Sequence, residues 1–515
     1  MPKLTTKART TRTVSVAAPV GGLNARDAIA NMEPTDAIMI ENWFPNTSGC
    51  DVRNGYTNWA TGMSGWVETV MAYNGVSTKS LFAAANNSIY DVTAGGAVGA
   101  AVVSAGITSN RWQHVNISTA GGKYLYAFNG ADKPLLYDGA TWTRIDGVSV
   151  PAITGVTTTN LDSPQIFKSR LWMVEKNTLK IWYLPVNSVG GAATSIDFTS
   201  LFRLGGYLMG MVTWTLNNSA GVDDYAAFVT SEGEIALYKG TDPSSSTTWA
   251  LVGTFRIGRP IGKRFYNKMG SDVVMLTADG VVTISKSFLT DRSNLSDVLS
   301  AKIGRAVNSD VQDFNANFGW QPILYPIGNK LIINVPQSEN SYQYQYVCNT
   351  ITGAWTVFTG WKAACWETQS DALYFGGNGV VCRADYGTKD NGNSITAKVK
   401  PAFQYFGNAT AQKRFTMIRP IFSSSGGITA AIKLNTDFQD SPPTSVPTYS
   451  GVNGTQWDAG YWDTFQWAGD TQISKRWLTS GGIGYSATIN MQVIANGISV
   501  NWQSIDYVFE QGGTL

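Results

Sequence analysis

One arrangement constrains this chain more than any other: a short strand, a tight turn and a second short strand ending in Tyr, Trp or Ile, repeated along the sequence. It is clearest in residues 331–385. There Leu331-Ile332-Ile333-Asn334-Val335 is a β run that Pro336 is expected to stop. Tyr342-Gln343-Tyr344-Gln345-Tyr346-Val347 alternates aromatic and polar residues, the period of two that marks a strand with one buried face. Asn349-Thr350-Ile351-Thr352-Gly353-Ala354-Trp355 is a polar turn ending in Trp, and 372–385 reads as a hairpin. Several short strands with Gly/Asn turns and an inward Trp describe one blade of a β-propeller running into the next.

The unit recurs. Leu81–Val92 is numbered 81–92 as strand, Asn86-Asn87 turn, strand, the pattern of a two-residue hairpin. Further pairs flank Lys133-Pro134, Lys176-Asn177, Ser231-Glu232-Gly233 and Ala278-Asp279-Gly280. Residues 66–390 have room for six or seven blades at roughly 40–50 residues each. The expected fold class is therefore all-β: a propeller of about six or seven blades over 66–390, an N-terminal arm and strap over 1–65, and a C-terminal β-sandwich-like domain over 391–515. A helical insertion is expected at 293–312, where Leu295, Val298, Leu299, Ile303, Val307 and Val311 share one helical face, with Ser293 or Asn294 as N-cap. A propeller has no need of that helix, so its apolar face is expected to pack on a neighbouring subunit or another domain.

Composition narrows the function classes. Charged residues make up 14% of the chain, against about 25% in an average soluble protein. Charge depletion marks interface cores, so other chains are expected to cover much of the surface. The formal net charge of +2 demands neither nucleic acid nor an anionic membrane as partner. A basic, Thr-rich stretch carries Lys3, Lys7, Arg9 and Arg12. It reads as a disordered or strand-donating arm, or else as a short basic arm touching DNA phosphate or an acidic neighbour, without sequence specificity. It lacks the apolar core of a secretion signal, and no run approaches the ~18–20 apolar residues of a membrane span. The expectation is synthesis in a cytosol without a membrane anchor.

Catalytic chemistry is sparse. A single histidine, His114, removes most histidine-based catalysis and metal binding, and it reads as a satisfied core or rim residue. Cys50, Cys348, Cys365 and Cys382 lack metal or redox spacing and are expected as buried free thiols. Asp138-Gly139-Ala140-Thr141-Trp142 nearly matches the Asp-box turn of sialidase-like propellers, itself a structural element. Gly205-Gly206 and Gly376-Gly377 are turn glycines rather than phosphate loops, and the basic loop Gly258-Arg259-Pro260-Ile261-Gly262-Lys263-Arg264 reads as a solvated turn. Trp457, Tyr461, Trp462, Phe465, Trp467 and Trp477, with the loop 439–455, offer a core or a partner surface. No acidic pair stands out as a glycosidase dyad. No catalytic, cofactor-binding or metal-binding residue and no cofactor is expected, and the chain is expected not to be an enzyme. The alternative is a carbohydrate-binding or glycosidase-like propeller, with exposed Trp and Tyr as stacking platforms.

Three stretches carry a resemblance. Gly21-Gly22-Leu23-Asn24, an acidic-Pro segment around Glu33-Pro34, Asn42-Trp43-Phe44-Pro45 and Val52-Arg53-Asn54-Gly55-Tyr56 resemble the opening of tail nozzle proteins of short-tailed bacteriophages, also called tail tubular protein B. Residues 349–361, and Lys413-Arg414-Phe415 with Ile418-Arg419-Pro420, are similar to later parts of the same proteins. The resemblance implies a structural virion protein located in the phage tail. It implies a homo-oligomeric ring, by analogy a hexamer, that continues the tail tube beyond an adaptor ring. Its partners would be that adaptor, a tail fibre, plug or needle protein, and double-stranded DNA passing through the lumen. Its work would be to conduct DNA and to retain the genome before ejection.

Overall fold

The structure, a computed structural model, describes residues 11–218, 221–289, 299–443, 448–449 and 472–512. The chain is all-β and propeller-like, and it divides into two compact units. One comprises Met1–Thr57, Tyr346–Gly360 and Asp385–Leu515; the other comprises Asn58–Gln345 and Trp361–Ala384.

The second unit carries the blades. Four antiparallel sheets follow one another, each complete in itself. The first is Gln113–Thr119, Gly122–Phe128, Leu135–Tyr137 and Trp142–Arg144. Next come Leu161–Phe167, Arg170–Glu175, Lys180–Tyr183 and Thr194–Asp197, then Leu208–Asn218, Gly221–Thr230, Glu234–Gly240 and Trp249–Arg256. The fourth has three strands, Tyr266–Met269, Asp272–Thr277 and Gly280–Thr283. Four self-contained blades stand against the six or seven expected, and the cause is one strand. Tyr56–Asn74 runs for 19 residues, too long for one blade, so the hairpins at Lys79–Ala85/Ser88–Asp91 and at Cys365–Gln369/Ala372–Gly376/Asn378–Ala384 join through it into a single seven-stranded sheet. Local periodicity finds each hairpin but cannot tell which neighbours share a strand.

The turns follow from backbone chemistry. Asn86 and Asn87 both take positive φ, 46° and 57°, which is what a two-residue hairpin of the primed type requires and Asn tolerates. Gly233 and Gly280 do the same for the expected turns at 231–233 and 278–280. Gly205 and Gly206 both take positive φ, in irregular backbone ahead of Leu208–Asn218. Gly376 does not: it lies in a strand, where an added Cβ would sit 2.3 Å from the Val67 carbonyl oxygen. Pro336 does not end its strand, which continues as Lys330–Ser338.

Apolar clusters fill the spaces between successive sheets. Phe167, Trp172, Val174 and Ile181 of one blade pack on Met211, Phe228 and Trp249 of the next. Within that cluster Trp172 and Trp249 stack at 5.6 Å, 19° between planes. Tyr126, Phe128 and Leu136 meet Leu161, Leu171 and Met173 in the same way.

The expected helix at 293–312 appears as Gly304–Phe314, with turns at 299–303; 290–298, including both proposed N-caps, lies outside the described residues. The described end of its apolar face is used within its own unit, while Leu295 and Val298 of the expected face lie outside the described residues. Ile303, Val307 and Val311 are buried, and the helix packs on Lys330–Ser338 and Gly280–Thr283.

In the other unit the strap and the C-terminal strands form one body. Thr11–Ala17 pairs antiparallel with Val500–Gln511 over seven residues, Thr11 opposite Glu510 and Ala17 opposite Ser504. Cys50–Val52 and Trp43–Pro45 extend the same sheet, whose centre is Lys413–Ser424 beside Val500–Gln511. A second set runs Trp355–Phe358, Gly22–Leu23, Asp36–Glu41, Ile395–Pro401, Ala487–Ala495 and Ile428–Thr436. The C-terminal β domain expected at 391–515 is thus built together with strap strands.

Candidate functional site

Two places gather polar side chains. The first is a cavity of about 340 Å³ in the propeller unit. Its wall takes residues from the leading strands of several sheets, though not from the sheet at 208–256: Thr69, His114, Pro164, Tyr266, Gln321 and Glu367 among them. Leading strands line the axis of a propeller, so this is its axial cavity. Because alternate residues of a strand point to opposite faces, each contributes one or two side chains here while its other face feeds the inter-sheet core.

Of the basic loop at 258–264, Arg259 lies in solvent as expected, while Lys263 and Arg264 line this cavity. Arg264 donates to the carbonyl oxygens of Glu68 (3.1 Å) and Trp112 (3.1 Å), to Thr69 Oγ1 (2.8 Å) and to Gln321 Oε1 (3.4 Å). All four acceptors are neutral oxygens. Burial lowers the Arg264 pKa, against the attraction of Cys365, Glu367 and Glu68. Lys263 pairs with Asp162, which is buried at a bulge in Leu161–Phe167. His114 Nε2 lies 3.0 Å from Glu367 Oε2, the satisfied position expected of it. Arg111 holds Glu68 at 3.0 Å and also reaches Glu339.

A second cavity of about 550 Å³ adjoins the first, sharing Ser163 and Lys263 in its wall. Asp162, Lys176, Glu232, Arg259 and Tyr207 line it. Glu232 is paired to Arg259 at 2.7 Å. The carboxylates Asp162, Glu68, Glu232 and Glu367 around both cavities therefore each face a cation or His114. Among the described residues, the carboxyls whose pKa departs from its ordinary value all move down, as at Asp132, Asp138 and Asp224.

The remaining residues singled out by sequence lie apart from these cavities. Asp138 is a turn residue: its Oδ1 accepts from the N–H groups of Ala140 and Thr141 (2.8 and 2.7 Å). The four cysteines are free and buried; burial pushes the thiols of Cys348 and Cys382 up to about 12 and that of Cys365 to about 11. Trp477 lies under the Arg419 guanidinium at 4.5 Å. Trp457, Tyr461, Trp462, Phe465 and Trp467, part of the 439–455 loop, and Lys3, Lys7 and Arg9 fall outside the described residues.

The second polar place is in the strap unit. Arg53, 3% exposed, forms a two-pronged pair with Asp390 (2.8 and 2.7 Å). It also donates to Asn42 Oδ1 at 2.8 Å and to the Thr359 carbonyl at 2.5 Å. Asn42 in turn donates to Thr359 Oγ1 and to the Thr396 carbonyl. Thr356 donates to the Trp43 carbonyl at 2.6 Å, and Asn349 to the Pro45 carbonyl at 2.9 Å. Gly22 sits so close to Trp355 that an added Cβ would meet its carbonyl oxygen at 2.5 Å. In the sequence Arg53, Asn42 and Gly22 stand out only as parts of motifs. No local signal announces Asp390, 337 positions away from Arg53.

The propeller arrangement and these interlocked strap strands define a β-propeller protein with a second β unit. No protein family matches the chain, and no curated protein does. Solved structures with some likeness include Raptor from Chaetomium thermophilum, at 9% identity and TM-score 0.39, over 64% of this chain and 29% of that one. The chain thus spans under a third of that protein's length. Another is a glycoside hydrolase family 43 arabinoxylan arabinofuranohydrolase from Bacillus subtilis in complex with cellotetraose, at 11% identity and TM-score 0.26, over 88% and 95%. Likenesses this distant carry no activity over to this chain.

Proposed function

We propose that this chain is a structural subunit of a short phage tail, of the nozzle type, assembling as a ring that conducts double-stranded DNA and retains it before ejection. The observation that carries the reading is where the resembling residues lie. Gly22, Asn42, Trp43, Arg53, Asn349, Trp355 and Thr356 hold one another, and Phe415 packs in an aromatic set with Phe406 and Phe509. These residues build a frame, as a load-carrying part requires, and do not converge on a cleft. The paired state of the cavity carboxylates also favours a non-enzymatic role. A glycosidase acid needs a carboxyl whose pKa is raised. Fold does not dictate function, so the weight rests on the resemblance and on this placement.

Partners in this reading are other copies of the chain in a ring, by analogy six, the tail adaptor ring, and a fibre, plug or needle protein; the location is the virion. Duplex DNA carries about one charge per 1.7 Å, and a nearly neutral subunit suits a conduit better than a clamp. Electron microscopy of the purified chain, alone and mixed with its adaptor ring, tests the proposal. The expected result is a closed ring with a channel of at least ~20 Å, wide enough for duplex DNA and its ~12 Å-wide major groove. A monomer that ignores the adaptor would overturn it.

A further inference from the structure

We propose that the axial cavity of the propeller unit is a binding site for a small phosphate-class oxyanion, free or as a phosphate monoester. The cavity's wall is unbalanced in charge. Lys263, Arg264 and Lys268 line it against a single carboxylate, Glu367. That carboxylate already faces His114 at 3.0 Å. Asp162, the partner of Lys263, lines the adjoining cavity instead.

An oxyanion answers this excess, because it brings negative charge and several acceptor lone pairs to one point. A metal ion would meet the opposite surroundings, and a neutral sugar would leave the cationic excess where it is.

Arg264 is the residue best placed to recognise such a ligand. Its guanidinium is held by four neutral oxygens, of Glu68, Thr69, Trp112 and Gln321, so its orientation is fixed while its charge is not consumed in a carboxylate hydrogen bond. A rigid, desolvated guanidinium loses little entropy on meeting a phosphate. The volume of about 340 Å³ lies at the small end of ligand pockets. Ser163 and Lys263, common to both cavities, mark the wall between this site and the larger cavity beside it. The proposal rests on the propeller unit alone and does not depend on the nozzle reading.

Isothermal titration of the full chain with inorganic phosphate and, separately, with a mononucleotide tests the site, at constant ionic strength set by chloride. The expected result is saturable binding of at least one of the two, with a dissociation constant of about 1 mM or tighter. Tighter binding of the mononucleotide identifies a phosphate ester as the ligand; tighter binding of inorganic phosphate identifies the free ion. Arg264→Ala is expected to weaken binding by about tenfold or more, the scale of a charge-assisted hydrogen bond. Arg264 also fastens strands, so that variant can fail to fold, and two further variants keep the test sharp. Lys268→Gln, at an exposed position, is expected to weaken binding several-fold. Glu367→Gln removes the wall's one negative charge and is expected to tighten it. Absence of saturable binding of both probes, or a folded Glu367→Gln variant that binds more weakly, would overturn the proposal.

Discussion

Arg53 shows how one side chain can fasten distant stretches of chain. Its guanidinium satisfies a carboxylate, an amide and two carbonyls in one plane, which a lysine ammonium cannot reproduce. Removing one member of a buried pair strands the other, at about 3–5 kcal/mol. Arg53→Ala is expected to lower stability by that amount in urea denaturation, and Arg53→Lys to recover only part of it. Asp132 gives the pH counterpart. Burial pushes its pKa up, but the N–H and hydroxyl of Thr108, the Asn129 amide and the Ser109 N–H outweigh burial and leave it below 3.8. A carboxyl with a depressed folded pKa stabilises above its unfolded value and loses that contribution as pH falls through the folded one. Asp132→Asn should therefore lose stability at neutral pH and show a flatter acid limb below about pH 4, measured by acid titration of tertiary fluorescence. The cysteines add a third test. With Cys348, Cys365 and Cys382 raised to about 11–12 and all four buried, a thiol reagent at pH 8 should label them only after unfolding, since the thiolate is the reactive form.

Strands were legible because their information is local, while much of the site was not. Period-two alternation located Tyr342–Asn349 and Asn-Asn located the hairpin at 86–87. The loop at 258–264 looks solvated because glycine, proline and arginine together ordinarily are. Arg259 and Lys263 are exposed as that reading requires, but Arg264 is drawn inward by Glu68, Thr69, Trp112 and Gln321, which no window of sequence around the loop contains. In the helix at 304–314 the expected apolar residues Val307 and Val311 are buried, against strands of their own unit and not against a neighbour. Amphipathicity reports that a face will be covered but not by what. Two substitutions test packing between elements. Trp172→Ala removes a ring stacked on Trp249 and should cost about 3–5 kcal/mol. Gly376→Ala would force a methyl against the Val67 carbonyl, an overpacking cost of about 1–3 kcal/mol. Thermal melts of both variants are the measurement, and a Gly376→Ala melt equal to that of the parent chain would contradict the packing described.

At the scale of the molecule, the two units are interleaved in sequence: one is assembled from three chain segments and the other from two. Thr11–Ala17 cannot be paired until Val500–Gln511 exists, because its seven-residue ladder is made with that strand. At ribosomal rates of about 5–20 residues per second, the intervening chain takes roughly 25–100 s to make. During that interval the N-terminal strand has its ladder groups open, which is an invitation to strand addition by other chains. Its own composition answers this hazard: Thr11-Arg12-Thr13-Val14-Ser15-Val16-Ala17 is polar on most of its length and carries a cation near its start. Nascent chains stalled before residue 500 should therefore present this strand to protease, whereas full-length chains should shield it. The strand at 500–511 sets the clock for the strand at 11–17, so maturation of this sheet is governed by translation time as much as by folding speed.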